Sequence, residues 1–139
     1  MKRKAPCPAI PRRKVQAFAR AFDLDLVVLF GSQATGKTHP RSDVDLAVRT
    51  TLPYAQRDLA WHHKLWSAVG DLCSHDEVDT VVLNDSDSLM LFEVATDGKA
   101  LFEQGPATFI EFQSYAARRY WDDEKFRRME HEYLCRDLP

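Results

Sequence analysis

The sequence predicts an α/β (α+β) chain in which a small mixed β-sheet is flanked by helices. Three observations predict it. Apolar runs at Leu26 to Phe30, Ser42 to Arg49 and Glu77 to Leu83 have the length and alternation of strands. The stretches between and after them carry apolar residues at helical spacing, and 139 residues suffice for one substantial core.

Taken in order, Pro6, Pro8 and Pro11 mark an irregular arm over residues 1–11, and Lys2, Arg3, Lys4, Arg12, Arg13 and Lys14 make this end basic. A flexible, solvated terminus is the expectation, with contact to an acidic partner or RNA as the alternative. Residues 12–139 are expected to form a single domain with C-terminal helices. In its first helix Val15, Phe18, Ala19 and Phe22 recur at the spacing of one buried face. Leu26 to Phe30 is unbroken apolar sequence, as in a strand covered on both sides. Gly31-Ser32 ends it, residues 32–35 are expected to form a short helix, and residues 38–41 a loop.

The second strand, Ser42 to Arg49, contains Asp43 and Asp45. Pro53 is expected to start a helix reaching Leu72, with a wide apolar face formed by Ala55, Leu59, Trp66 and Val69 beside Trp61, Leu65, Ala68 and Leu72. In the third strand Asp79 alternates with Val81 and Leu83. Ser88 to Thr96 is expected to be an amphipathic helix stopped by Gly98, and Ala100 to Phe102 a last strand. Pro106 opens a helix on which Phe109, Phe112, Ala116 and Tyr120 lie along one face. The tail places Phe126, Met129 and Tyr133 on one stripe, expected to be packing, with a docking surface as the alternative.

The formal net charge of −2 gives no general argument for binding nucleic acid or membranes. No apolar stretch has the length of a membrane span or follows the basic terminus as in a signal peptide, so a cytoplasmic protein is expected. Three scattered cysteines, Cys7, Cys73 and Cys135, suggest reduced thiols and no disulfide framework. His62-His63 and Cys73 with His75 make poor metal sites, because neighbouring helix residues diverge and further ligands are distant.

The chemistry concentrates between Leu26 and Val48. Residues two apart in a strand share a face, so Asp43 and Asp45 place two carboxylates side by side. Such a pair is unfavourable without a cation, and oxygen-only ligands suit Mg2+ or Mn2+. Gly31 and Ser32 supply a turn where backbone N–H groups and a hydroxyl can approach a phosphate. Residues Gly31 to Thr38 also match the P-loop pattern GxxxxGK[ST]. Pro40 removes the room for the helix that a P-loop requires, leaving Lys37 and Thr38 in a loop.

Gly31-Ser32 followed by Ser42-Asp43-Val44-Asp45 resembles the signature of nucleotidyltransferases related to DNA polymerase beta, and more narrowly the minimal nucleotidyltransferase (MNT) antitoxins of the HEPN/MNT toxin-antitoxin class. The resemblance covers about Val15 to Leu134. It implies a minimal nucleotidyltransferase fold, metal binding and catalysis by Asp43, Asp45 and Asp79, and phosphate binding by Gly31 and Ser32. Arg41 and Arg49 are candidate phosphate contacts, with a surface ion pair as the alternative for each. The bland alternative for Asp79 is exposure to water or pairing with Arg49. Many MNT-like sequences carry a further acid where this chain has Val82.

By the same resemblance, AMP passes from ATP, with Mg2+ or Mn2+, to a tyrosine hydroxyl of a cognate HEPN ribonuclease toxin. Direct nucleic-acid binding and a membrane are not expected. A binding-only antitoxin and a transferase acting on a small molecule are the alternatives. The carboxylate set argues against the first, and the absence of a helical acceptor domain against the second.

Overall fold

The computed structural model describes residues 10–31, 44–74 and 78–136. The expected short helix at 32–35, the loop at 38–41, Lys37, Thr38, His75, Cys7 and the arm through residue 9 lie outside the described residues. Helix α1 spans Arg12–Ala21 and buries Val15, Phe18 and Ala19, as their spacing predicts. Ile10, assigned to the arm, packs against the same core. Asp23 then turns the chain at a φ of 53°. A left-handed aspartate is uncommon, and here its carbonyl accepts hydrogen bonds from the Thr50 hydroxyl, the Thr51 amide and the Thr51 hydroxyl.

Strand β1, Leu24–Phe30, follows, then β2, Val44–Thr50. Beyond α2, Leu59–Cys73, come β3, Val78–Val82, and α3, Ser88–Asp97. The last elements are β4, Lys99–Glu103, and α4, Thr108–Arg136. The sheet order is β3-β2-β1-β4, with β1 antiparallel to β2 and β4, and β2 parallel to β3. This is the expected mixed α+β architecture.

Strand β1 reads as continuous apolar sequence because both its faces are covered. Leu24 and Val27, with Leu46 and Val48, meet Val15 and Phe18 of α1 and Leu65 and Val69 of α2. Leu26, Val28 and Phe30, with Ala47, meet Leu91 and Val94 of α3 and Phe112 and Ala116 of α4.

Helix α2 starts later than expected. Pro53 opens only a short 3-10 turn, Tyr54–Gln56, and the helix begins after Asp58, whose carboxylate accepts from the Trp61 amide at 2.8 Å. A capping acid satisfies an N–H that a start at Pro53 would leave open. Its buried stripe is also narrower than expected: Leu65, Val69 and Cys73 are buried, whereas Leu59 and Trp66 are exposed. Helix α3 matches its expected span, with Asp87 capping Met90 and the Gly98 amide bonded to the Val94 carbonyl at 2.9 Å.

Two expected C-terminal segments are one 29-residue helix. Its first half packs as the sequence suggests, with Phe112 and Ala116 buried and Tyr120 stacked on Phe92 at 4.1 Å. Arg127 marks the end of this contact, donating to the Ser88 hydroxyl and the Tyr120 carbonyl. The stripe expected to be packing is exposed, with Phe126 70%, Met129 63% and Tyr133 67% accessible. Helix α3 has only ten residues and cannot run beside the last turns of α4. Changing Phe126, Met129 and Tyr133 together to serine is therefore expected to move the thermal midpoint of the isolated chain by less than about 3 °C, since exposed positions carry little folding energy. A loss of about 10 °C or more in a melting curve would show that the stripe is buried in solution.

Among the described residues, no helix is long and apolar enough to cross a membrane.

Candidate active site

Three of the residues singled out in the sequence meet at one end of the sheet. Strand β1 delivers Gly31 just past Phe30, which pairs with Asp45 across the antiparallel ladder. Gly31 has a φ of 77°, a conformation that glycine adopts without steric cost. A Cβ there would fall on the Asp45 carboxylate. The turn is thus closed against the acid, and both backbone conformation and space demand glycine.

Asp45 stands level with Asp79 across the parallel β2–β3 pair. Register partners on neighbouring strands point to the same face, about 5 Å apart at their backbones. Asp45 is half-buried and Asp79 exposed. Val81 and Leu83, which alternate with Asp79 in sequence, pack with the α3/α4 layer, so the acids share that face. Two carboxylates held side by side repel unless a cation joins them, and both offer only oxygen.

Arg49 lies further along the same face of β2. It makes two 3.0 Å hydrogen bonds to the Asp25 carboxylate and sits 5.9 Å above the Phe112 ring. The ion-pair reading of Arg49 holds, and its suggested pairing with Asp79 does not occur: Asp25 on the adjacent strand offers a bidentate partner that matches a guanidinium fork. Among the described residues, none makes a hydrogen bond or ion pair with the Asp79 carboxylate. Ser32, Arg41 and Asp43 lie outside the described residues.

One positioning residue escaped the sequence reading. Asn84, just beyond β3, accepts from the Thr50 amide at 3.0 Å and donates to the Thr50 carbonyl at 2.9 Å. Its side-chain amide imitates a backbone partner and continues the β2–β3 pairing after β3 has ended. An asparagine after an apolar run signals only a turn, so nothing in the sequence distinguished this clasp from a loop residue.

The family described as polymerase beta nucleotidyltransferase matches residues 13–107. The chain is 35% identical over 97 residues to the protein adenylyltransferase MntA of Aphanizomenon flos-aquae, a match covering 65% of this chain and 64% of that protein. It therefore spans a little less than two thirds of that curated relative. Among solved structures, a toxin-antitoxin with AMP-PNP superimposes with a TM-score of 0.72 at 23% identity, covering 90% of this chain and 98% of that chain. A complex of tri-AMPylated Shewanella oneidensis HEPN toxin with MNT antitoxin gives 0.67 at 21% identity, covering 89% and 95%. At these identities the superpositions speak for the fold. The family match runs from α1 past β4 and contains Gly31 and the strands that carry Asp45 and Asp79, so the chain belongs to the polymerase beta nucleotidyltransferase family.

Proposed function

We propose that this chain is an antitoxin-type protein adenylyltransferase, moving AMP from ATP to a tyrosine hydroxyl of a cognate HEPN toxin. The observation that carries the reading is the register of Asp45 with Asp79 beside the Gly31 turn. The likeness to MntA supports the donor and the kind of acceptor.

Two oxygen-only acids on one face fit a hard divalent cation, and Asp43, two residues before Asp45 in sequence, completes the set proposed to hold Mg2+. When bound, Mg2+ offsets phosphate charge and favours the deprotonated form of a hydroxyl. The chain's own residues do the positioning. The Gly31 turn and the Ser32 hydroxyl bind the β- and γ-phosphates, with Arg41 as a further contact, while Asp45 fixes the turn from below. Asp79, exposed at the outer strand, accepts the proton of the incoming hydroxyl. The exposed position of Asp79 suits an acceptor as large as a protein.

Intact-mass analysis of a cognate HEPN toxin, after incubation with the chain, ATP and Mg2+, tests the proposal. Added AMP on a tyrosine, absent with Asp43→Ala/Asp45→Ala, is the expected result. A stable, neutralising complex without any mass change would leave a binding-only antitoxin and sink the catalytic reading.

A further inference from the structure

The sheet lays out the site in a fixed sequence. Gly31 follows β1, Asp45 lies on β2, Asp79 lies on β3, and β3 is the outer strand among the described residues. On the opposite face from α1 and α2, the helices α3 and α4 pack over β1. Phosphoryl transfer proceeds with the attacking and leaving oxygens in line on opposite sides of the phosphorus. With pyrophosphate leaving on the Gly31 side, the attacking hydroxyl must come from the other side, where the sheet formed by the described residues ends at β3.

What stands there is the edge of β3, Val78–Val82. An edge strand presents a row of backbone N–H and C=O groups able to pair with another chain. Strands so added bring main-chain hydrogen bonds for affinity and alternate side chains for recognition. The geometry points to an acceptor that binds as an extended segment paired with the outer edge of β3, its hydroxyl-bearing residue standing opposite Asp79. This rests on the transferase function proposed above and adds how the acceptor is held.

A segment paired in this way lies about 5 Å beyond β3, and every second side chain projects onto the face that carries Asp45 and Asp79. In the step it serves, the acceptor hydroxyl oxygen forms a bond to the α-phosphorus. The bond from that phosphorus to the bridging oxygen breaks, pyrophosphate leaves with the electron pair, and the hydroxyl proton passes to the Asp79 carboxylate. The other edge is less suited. Strand β4 ends in exposed Lys99 and Glu103, and β1 and β2 separate it from Asp79.

Successive amides of a strand point to opposite sides, so of Thr80→Pro and Val81→Pro one removes a bond to β2 and the other an outward donor. The outward variant is identified by a melting midpoint near that of the parent chain. With the HEPN protein as acceptor, this variant is expected to raise KM for the acceptor at least about tenfold while KM for ATP stays within about twofold. Unchanged kinetics in the folded variant would overturn strand pairing and leave the transferase function intact. Should neither proline variant fold, amide exchange on the parent chain decides: acceptor binding is expected to slow exchange within 78–82 by about tenfold or more, and no slowing overturns the inference. Absence of AMP transfer by the parent chain would instead remove the proposed function, and this inference with it.

Discussion

Asp45→Asn is expected to lower the rate of AMP transfer by about a thousandfold, because the reaction depends on charge compensation at the phosphates and one of the two facing carboxylates is lost. Asparagine keeps the shape of the side chain, so the fold is expected to survive with stability within about 1 kcal/mol of the parent, where like charges opposite one another on neighbouring strands already cost a fraction of that. A second readout separates loss of chemistry from loss of structure. A ligand that binds only the folded chain at a hundred times its Kd adds about 2.7 kcal/mol, roughly 10 °C in the melting midpoint of a domain this size. Mg2+ with ATP is expected to raise the midpoint of the parent by about that amount and that of Asp45→Asn by much less. Equal transfer rates for variant and parent would remove Asp45 from the site.

Gly31→Ala and Gly70→Ala are expected to move stability in opposite directions. At Gly31 the left-handed backbone costs alanine about 1 to 2 kcal/mol, and the new methyl group displaces the Asp45 carboxylate. The melting midpoint is expected to fall by about 5 °C, and AMP transfer by about a hundredfold because the phosphate turn and the acid separate. Gly70 lies inside α2, and a Cβ there meets nothing within 4 Å. Alanine at that position favours the helix by roughly 0.5 to 1 kcal/mol, so the midpoint is expected to rise with no change in transfer. Melting curves and transfer rates on the two variants check both signs. A Gly31→Ala chain as stable and active as its parent would mean that turn and acid are not in contact.

The features nearest to local chemistry were legible in the sequence. Unbroken apolar residues from Leu26 to Phe30 marked a strand covered on both faces, and Asp79 announced itself as an acid among Val78, Val81 and Val82. Gly31 read as a phosphate turn; that its missing Cβ also makes room for Asp45 depends on how β1 lies against β2 and has no sequence signal. The pairing of Asp45 with Asp79 was equally hidden, because parallel register is set by how α2 crosses between β2 and β3 and by the Asn84 clasp, not by either strand. Helix boundaries failed where one cap outcompeted another, as at Asp58 over Pro53. The stripe of Phe126, Met129 and Tyr133 was visible, but periodicity reports that residues share a face, not whether anything covers it.

The position of β1 has a consequence for how the chain reaches its folded state. Its two neighbours lie at very different distances along the chain: β2 is the next strand, whereas Val27 must wait for Phe102 and Leu26 for Glu103. Contacts so distant along the chain slow the search for native structure, since loop-closure entropy is spent before the pairing compensates it. During synthesis, the most apolar strand carries one bare edge until residue 103 has left the ribosome. Truncations that stop before Lys99 are therefore expected to expose Leu26, Val27 and Val28 together and to aggregate instead of yielding a smaller working domain.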